Sequence, residues 1–157
     1  MHLRNARHCI DAAPPVEVAQ RLFRDYERWL GEDLTFQQFE QEVATLPGKY
    51  APPEGALLVA WEGDVPAGCV AMRPLQPGIC EMKRLWVAEG FRGSGLGLRL
   101  VQEILASARA SGYSRMRLDT LERLTSAIAL YRGQGFYEIP RYHDDPVAGV
   151  LFFEKAL

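Results

Sequence analysis

The stretch EMKRLWVAEGFRGSGLGLRLVQEILASARA, residues 81–110, decides the fold. Residues 80–87 are rich in strand formers, and Gly112 ends the helical pattern that follows. One face of that helix carries its small and apolar side chains: Gly97, Leu100, Val101, Ile104, Leu105 and Ala108. The pattern predicts a strand, a glycine-rich loop and an amphipathic helix that packs on a sheet.

The loop RGSGLG, residues 92–97, is a candidate phosphate site. The first turn of a helix exposes unpaired N–H groups that carry partial positive charge, and phosphate binds there readily. Glycine lets the backbone approach a phosphate closely, and Arg92 can add a charged contact. A flexible surface turn before a helix is the alternative interpretation of this loop.

A dinucleotide-binding unit is disfavoured by the spacing of the glycines. The third glycine of G-x-G-x-x-G falls at Leu98, and five residues separate the strand from Gly93. The chain is also short for a dinucleotide fold with a substrate domain.

Before this stretch, the pattern predicts two helices and a hairpin. Apolar residues recur at helical spacing over 16–30, and Gly31 supplies a stop. A second, short helix is predicted from Thr35 through Phe39 and Val43, ending at residues 46–48. Residues 56–61 and 65–73 read as strands joined by a turn at 62–64. The pattern of the first ten residues is ambiguous, and an edge strand is one interpretation of it.

After this stretch, a strand at 116–119, a short helix at 125–131 and strands at 136–139 and 150–153 are predicted. The fold class is therefore α/β or α+β, a mixed central sheet flanked by helices. At 157 residues, the chain fits one domain over 1–157.

Composition excludes several classes of partner. The net charge of -2 is spread along the chain without a basic block, so nucleic acid is not expected as a partner. No apolar run reaches the length of a membrane span, and no secretory signal begins the chain, so a cytoplasmic protein without a membrane partner is expected.

A metal site is not expected either. Cys9, Cys69 and Cys80 form no CxxC pair and are interpreted as buried thiols. The histidines are scattered without ligand spacing and are expected in surface or terminal positions: His2, His8 and His143. Asp119 is expected to fix Thr120 or to cap the following turn.

Residues 81–136 resemble the acetyl-CoA-binding core of the GNAT superfamily of N-acetyltransferases. EMKRLWV, RGSGLG and the amphipathic helix match its central motif in order and spacing, and ALYRGQGF, residues 129–136, looks like its L-Y-x-x-x-G-F signature. The helices, hairpin and final strands extend the resemblance loosely over nearly the whole chain. The resemblance implies transfer of an acetyl group from acetyl-CoA to a primary amine of a small molecule or peptide.

The resemblance also implies where acetyl-CoA binds. The strand before the loop splays from its neighbour, pantetheine pairs with the backbone of that strand, and pyrophosphate rests on the loop amides. The implied contacts are Leu85, Trp86, Val87, Arg92, Gly93, Ser94, Gly95, Leu96, Gly97 and Leu98. Many relatives place an asparagine at the position of Leu124; Ser126 or Thr125 is the expected substitute here.

Direct transfer requires a base for the amine, whose reference pKa is about 10.4, and an acid for the departing thiolate. By resemblance, Glu81 is the candidate base, acting through water, and Tyr131 is the candidate acid. Strand alternation places Glu81, Lys83, Leu85 and Val87 on one face. The structural alternatives are an exposed ion pair of Glu81 with Lys83 or Arg84, and a core position for Tyr131.

The resemblance implies that the acceptor wall is formed by the segment from Tyr26 and Trp29 through Tyr50, and the further candidate acceptor-binding residues are Arg73, Lys83 and Tyr142. Their basic members suit an acceptor that carries a carboxylate or phosphate. A catalytically silent acyl-CoA-binding or regulatory module is the competing function. The oligomer is expected to be a monomer or a homodimer.

Overall fold

The computed structural model describes residues 8–34 and 38–157. Its centre is a seven-stranded sheet in the order β1-β2-β3-β4-β5-β7-β6. The strands are β1 (His8–Asp11), β2 (Ala56–Glu62), β3 (Val65–Gln76), β4 (Ile79–Val87), β5 (Arg115–Leu121), β6 (Tyr137–Ile139) and β7 (Val150–Ala156). Neighbouring strands are antiparallel except β4 and β5, which are parallel.

Four α-helices lie along the described chain, with two short 3₁₀ turns at Gly48–Tyr50 and Glu89–Phe91. The helices are α1 (Val16–Leu30), α2 (Phe39–Ala44), α3 (Leu96–Ala110) and α4 (Thr125–Gly133). Gly31 ends α1 in the left-handed conformation, with φ of 73° and its N–H bonded to the carbonyl of Glu27. The predicted mixed sheet flanked by helices is confirmed.

Two apolar cores cover the two faces of the sheet. One core packs Leu100, Val101 and Ile104 of α3 against strand residues such as Val70 and Met72; we call this the α3 face. The other packs Leu22 and Phe23 of α1 against Val59 and Ala71; we call this the α1 face. Successive side chains of β2 and β3 point alternately to the two faces and are apolar on both, as expected for a sheet covered on both sides.

Several predicted features differ from the structure. The short helix α2 ends at Ala44, before the predicted end, because residues 45–47 form a turn; its predicted start at Thr35 and Phe36 lies outside the described residues. Cys69 and Cys80 are buried as predicted, but Cys9 is exposed on the edge strand β1. None of the helices in the described ranges combines the length and apolar character needed to cross a bilayer.

Candidate active site

The candidate site is a cleft between β4 and β5. These parallel strands pair only from Ile79–Arg115 to Glu81–Arg117, although β5 continues to Leu121 alongside β7. Beyond Glu81 the strands part and leave a cleft that opens to solvent. Side chains of α1, β4, β5 and α4 line it, among them Tyr26, Leu85 and Tyr131.

A bulge in β4 changes the predicted facing of its side chains. Cys69 pairs with Trp86 and Ala71 with Lys83, so one residue of β3 lies opposite two of β4. Arg84 takes φ of 63° at this point. The prediction that Leu85 and Val87 share a face with Glu81 and Lys83 is therefore wrong.

Across the bulge the facing of β4 is reversed. Cys80 and Met82 before the bulge, and Leu85 and Val87 after it, pack on the α3 face. Trp86 joins the α1 face, where its indole N–H is buried without a hydrogen-bond partner among the described residues. An inserted residue breaks the period of two, so every later side chain changes sides.

The glycine-rich loop presents unpaired amides at the end of the cleft. Gly93 and Gly95 adopt φ of 78° and 82°, which side chains other than glycine rarely take. Among the described residues, no backbone carbonyl accepts from the amides of residues 93–98. These donors and the start of α3 suit an anion.

Arg92 links this loop to β4 and α1. Its Nε donates to the carbonyl of Val87 at 2.9 Å, and its guanidinium lies 5.0 Å from the centre of the Trp29 ring. Trp29 is therefore a neighbour of the glycine-rich loop as well as part of the cleft wall.

Tyr131 projects from α4 into the cleft and is nearly buried. Its ring packs edge to face against Phe136 at 5.9 Å, so the core interpretation and the cleft interpretation of this residue both hold. Burial raises the pKa of Tyr131, and the phenol therefore keeps its proton at neutral pH.

Glu81 is buried rather than placed on an exposed patch. Only 1% of its side chain is exposed, and its partner is neither Lys83 nor Arg84. Arg73 donates to Oε1 from Nε at 3.0 Å and from Nη2 at 2.9 Å, while the Tyr142 hydroxyl donates to Oε2 at 2.5 Å. Any further proton donor must approach Glu81 beside these partners.

Asp119 and His143 form a pair that the sequence patterns missed. Nε2 of His143 lies 2.6 Å from Oδ2 of Asp119, and Nζ of Lys83 lies 4.0 Å from Oδ1. Burial opposes ionisation of Asp119, but Lys83 and the hydrogen bond from His143 outweigh it and lower its pKa to about 2. Among the hydrogen bonds of residues 8–34 and 38–157, Asp119 accepts from His143 and none joins it to Thr120 or to the following turn.

The histidines were expected in surface or terminal positions, and the structure differs from this in the burial of His8. His8 is buried on β1, 3.2 Å from the Glu62 carboxylate, and His143 is half-buried against Phe152. His2 lies outside the described residues. Oxygen and nitrogen atoms of Glu81, Asp119 and His143 lie within 4.8 Å of one another. Arg73 and Lys83 already offset the negative charge that a cation would need, and the Tyr142 hydroxyl occupies one Glu81 oxygen.

The remaining predicted residues fall into two groups. Tyr26, Trp29 and Lys83 line the cleft. Arg73 and Tyr142 meet at Glu81, outside the cavity wall, and Ser126 is exposed in the first turn of α4. Burial lowers the pKa of Lys83 against the opposing charge of Asp119.

Comparison with known proteins is consistent with this geometry. Residues 16–136 match the model of the acetyltransferase (GNAT) family. An uncharacterized N-acetyltransferase of Schizosaccharomyces pombe is 44% identical over 133 residues, which cover 83% of this chain and 82% of the relative.

Solved structures share the fold at low identity. An acetyltransferase from Streptococcus agalactiae superposes with a TM-score of 0.81 at 21% identity, covering 96% of this chain and 99% of that one. The PaiA N-acetyltransferase of Thermoplasma acidophilum, solved in complex with coenzyme A, gives 0.74 at 15% identity and covers 96% and 99%.

Proposed function

This chain belongs to the GNAT family of acetyltransferases, and from that premise we propose that it transfers the acetyl group of acetyl-CoA to a primary amine by direct attack. The observation that carries the proposal is the separation of β4 and β5 beyond Glu81. A parted pair of parallel strands leaves backbone donors and acceptors of β4 without a sheet partner. An extended amide-bearing chain such as pantetheine can take their place.

The proposed position of acetyl-CoA follows the cleft from its rim to its centre. The pyrophosphate lies on the amides of residues 93–98, and the pantetheine amides pair with the backbone at Leu85 and Val87. Because Arg92 occupies the Val87 carbonyl at 2.9 Å, it must move aside or share that carbonyl when the cofactor binds. Coenzyme A in the structurally similar PaiA protein is consistent with this cofactor class.

The proposed chemistry uses groups on both sides of the cleft. The amine nitrogen attacks the thioester carbonyl, the C–S bond breaks, and Tyr131 gives its proton to the departing thiolate. Glu81 receives the proton of the amine through a water, since Arg73 and Tyr142 occupy its direct contacts. Lys83 and Arg73 favour an acceptor that carries a carboxylate or phosphate.

Thermal melting with acetyl-CoA, CoA and NADP in parallel tests the cofactor. A ligand at about 100 times its Kd stabilises the native state by about 2.7 kcal/mol. A rise in melting temperature with acetyl-CoA and CoA alone is expected. A rise with NADP alone would overturn the proposal.

Turnover is tested by release of free CoA over a panel of amino acids and diamines, with the acetylated product identified by mass spectrometry. Release that requires both acetyl-CoA and an amine is expected. Tight CoA binding without acetylation of any amine would favour the silent binding module instead.

A further inference from the structure

The titratable pair Asp119 and His143 lies beside Glu81, and its position suggests a role in proton transfer. A base that takes a proton in each turnover must return that proton to solvent before the next. Glu81 is only 1% exposed and its two oxygens accept from Arg73 and Tyr142. It therefore needs a neighbour that reaches both the carboxylate and the solvent.

His143 meets both conditions. A ring nitrogen of His143 lies within 4.8 Å of a Glu81 oxygen, a gap that one water can bridge with two hydrogen bonds. The His143 side chain is 32% exposed, in contrast to Glu81. Asp119 holds the ring at 2.6 Å, and edge-to-face packing on Phe152 at 5.1 Å fixes its plane.

Building on the proposed acetyl transfer, we infer that His143, oriented by Asp119, is the proton exit of the site, carrying the proton of the acceptor amine from Glu81 to solvent. No bond other than N–H and O–H bonds forms or breaks in this step. The imidazolium loses one proton to water, and the neutral ring then takes the proton held at Glu81. Asp119 stays ionised and acts as a positioning residue.

The surroundings of His143 set its resting state. Nε2 faces the Asp119 carboxylate and Nδ1 lies 3.0 Å from the Asp144 carbonyl, so both ring nitrogens face acceptors. Only the imidazolium donates from both nitrogens. The hydrogen bond to Asp119 raises the pKa of His143 although burial opposes it.

Several elements contribute side chains around the His143 ring. Glu81 faces it from β4, Asp119 from β5 and the apolar Phe152 from β7, while Tyr142 and Asp144 flank it in its own segment. Lys83 of β4 lies 4.0 Å from Asp119 on that side of the pair. Negative charge from Asp119 and Glu81 is partly offset by Lys83.

The first test is the pH profile of kcat, measured at saturating acetyl-CoA with one saturating amine that the wild type acetylates. In the wild type, activity falls as pH drops through the His143 pKa, because a ring that keeps its proton cannot accept another. In His143→Gln, a loss of about 100-fold and disappearance of this inflection are expected, with partial rescue by added imidazole. His8→Gln, which changes the histidine on β1, is the matched control and keeps the wild-type profile.

A second measurement does not depend on an acceptor or on the folding of a variant. Nitrogen-15 NMR of the histidine rings in the wild type is expected to show His143 titrating above the ordinary histidine range, with the value falling in Asp119→Asn. Titration of His143 in the ordinary range in both proteins, or an unchanged pH profile in His143→Gln, would overturn the inference. Failure of the wild type to acetylate any amine would instead overturn the proposed function.

Discussion

Arg84 combines a left-handed backbone with a buried charge. Its φ is 63°, and only 4% of the residue is exposed. Nε and Nη2 bind the two oxygens of Glu42 at 2.9 and 3.1 Å, and Phe39 lies beneath the guanidinium at 5.1 Å. A paired charge at this depth is tolerated because the two oxygens of Glu42 accept from Nε and Nη2 in a bidentate arrangement.

Breaking this pair is therefore expected to be costly. Glu42→Gln leaves the Arg84 cation buried without its anion, and the free energy of unfolding should fall by about 3 kcal/mol. Denaturant unfolding followed by circular dichroism measures the change. Glu40→Gln on the same helix is the control, since Glu40 is exposed and its pair with Arg24 contributes little. Equal losses in the two variants would contradict the role of the buried pair.

Tyr131 gives the second prediction for a single residue. Tyr131→Phe removes the proposed acid and keeps the ring that packs against Phe136, so kcat should fall by about 100-fold or more while CoA affinity is retained. Steady-state kinetics with isothermal titration of CoA separate the two quantities. Tyr137→Phe, at an exposed tyrosine on β6, should keep the wild-type kcat. A wild-type kcat in Tyr131→Phe would remove this residue from the chemistry.

At the scale of elements, the bulge in β4 depends on close approach by β3. A Cβ placed on Gly68 would lie 2.7 Å from the Trp86 carbonyl oxygen. Because this oxygen belongs to the backbone, it cannot rotate away as the end of a flexible side chain could. Gly68 therefore lets the two strands stay paired where β4 carries an extra residue.

Gly68→Ala is expected to lower the free energy of unfolding by about 1–3 kcal/mol, since overpacking at a fixed backbone forces the strands apart. The melting temperature and CoA affinity should both fall, because the strand that moves borders the cleft. Gly133→Ala is the control, for no atom lies within 4 Å of its added Cβ. An unchanged melting temperature in Gly68→Ala would show that the strands relax without cost.

The junction of α1 with the phosphate loop supplies another prediction. Trp29 is 42% exposed and stacks on Arg92, which also binds the Val87 carbonyl. Binding of CoA should draw Arg92 toward the pyrophosphate and change the fluorescence of Trp29. The change should be clearly smaller in Trp29→Phe than in Trp61→Phe, whose ring packs on the α1 face of β2; Trp86 of β4 accounts for what remains. An undiminished response to CoA in Trp29→Phe would refute movement at this junction.

For the whole molecule, the two cores determine which thiols are reactive. Burial raises the pKa values of Cys69 and Cys80 to about 12, whereas Cys9 is exposed on the edge strand. A thiol reagent should label Cys9 rapidly in the native protein and all three cysteines after unfolding. Cys9→Ser should abolish the rapid phase and gives a clean background for the CoA-release assay. Rapid labelling of Cys69 or Cys80 would mean that the cores open readily.

The local features of the fold were predictable because their causes are local. Helical spacing in α3, the glycines of residues 92–97 and the turn between β2 and β3 all depend on residues close in the chain. Two motifs within residues 81–136 carried the resemblance that made Glu81 and Tyr131 candidates for the chemistry. By itself, the sequence thus determined the order of elements, the family and the position of the glycine-rich loop before α3.

The tertiary structure alone decided the facing of β4 and the polar cluster of the site. The bulge at Arg84 reverses the period-two alternation, and its origin lies in the pairing of β4 with β3 rather than in β4 itself. His143 lies 24 residues from Asp119, and Tyr142 lies 61 residues from Glu81. Contacts at such separations leave no periodic trace in the sequence, because they form only when β4, β5 and β7 assemble into one sheet.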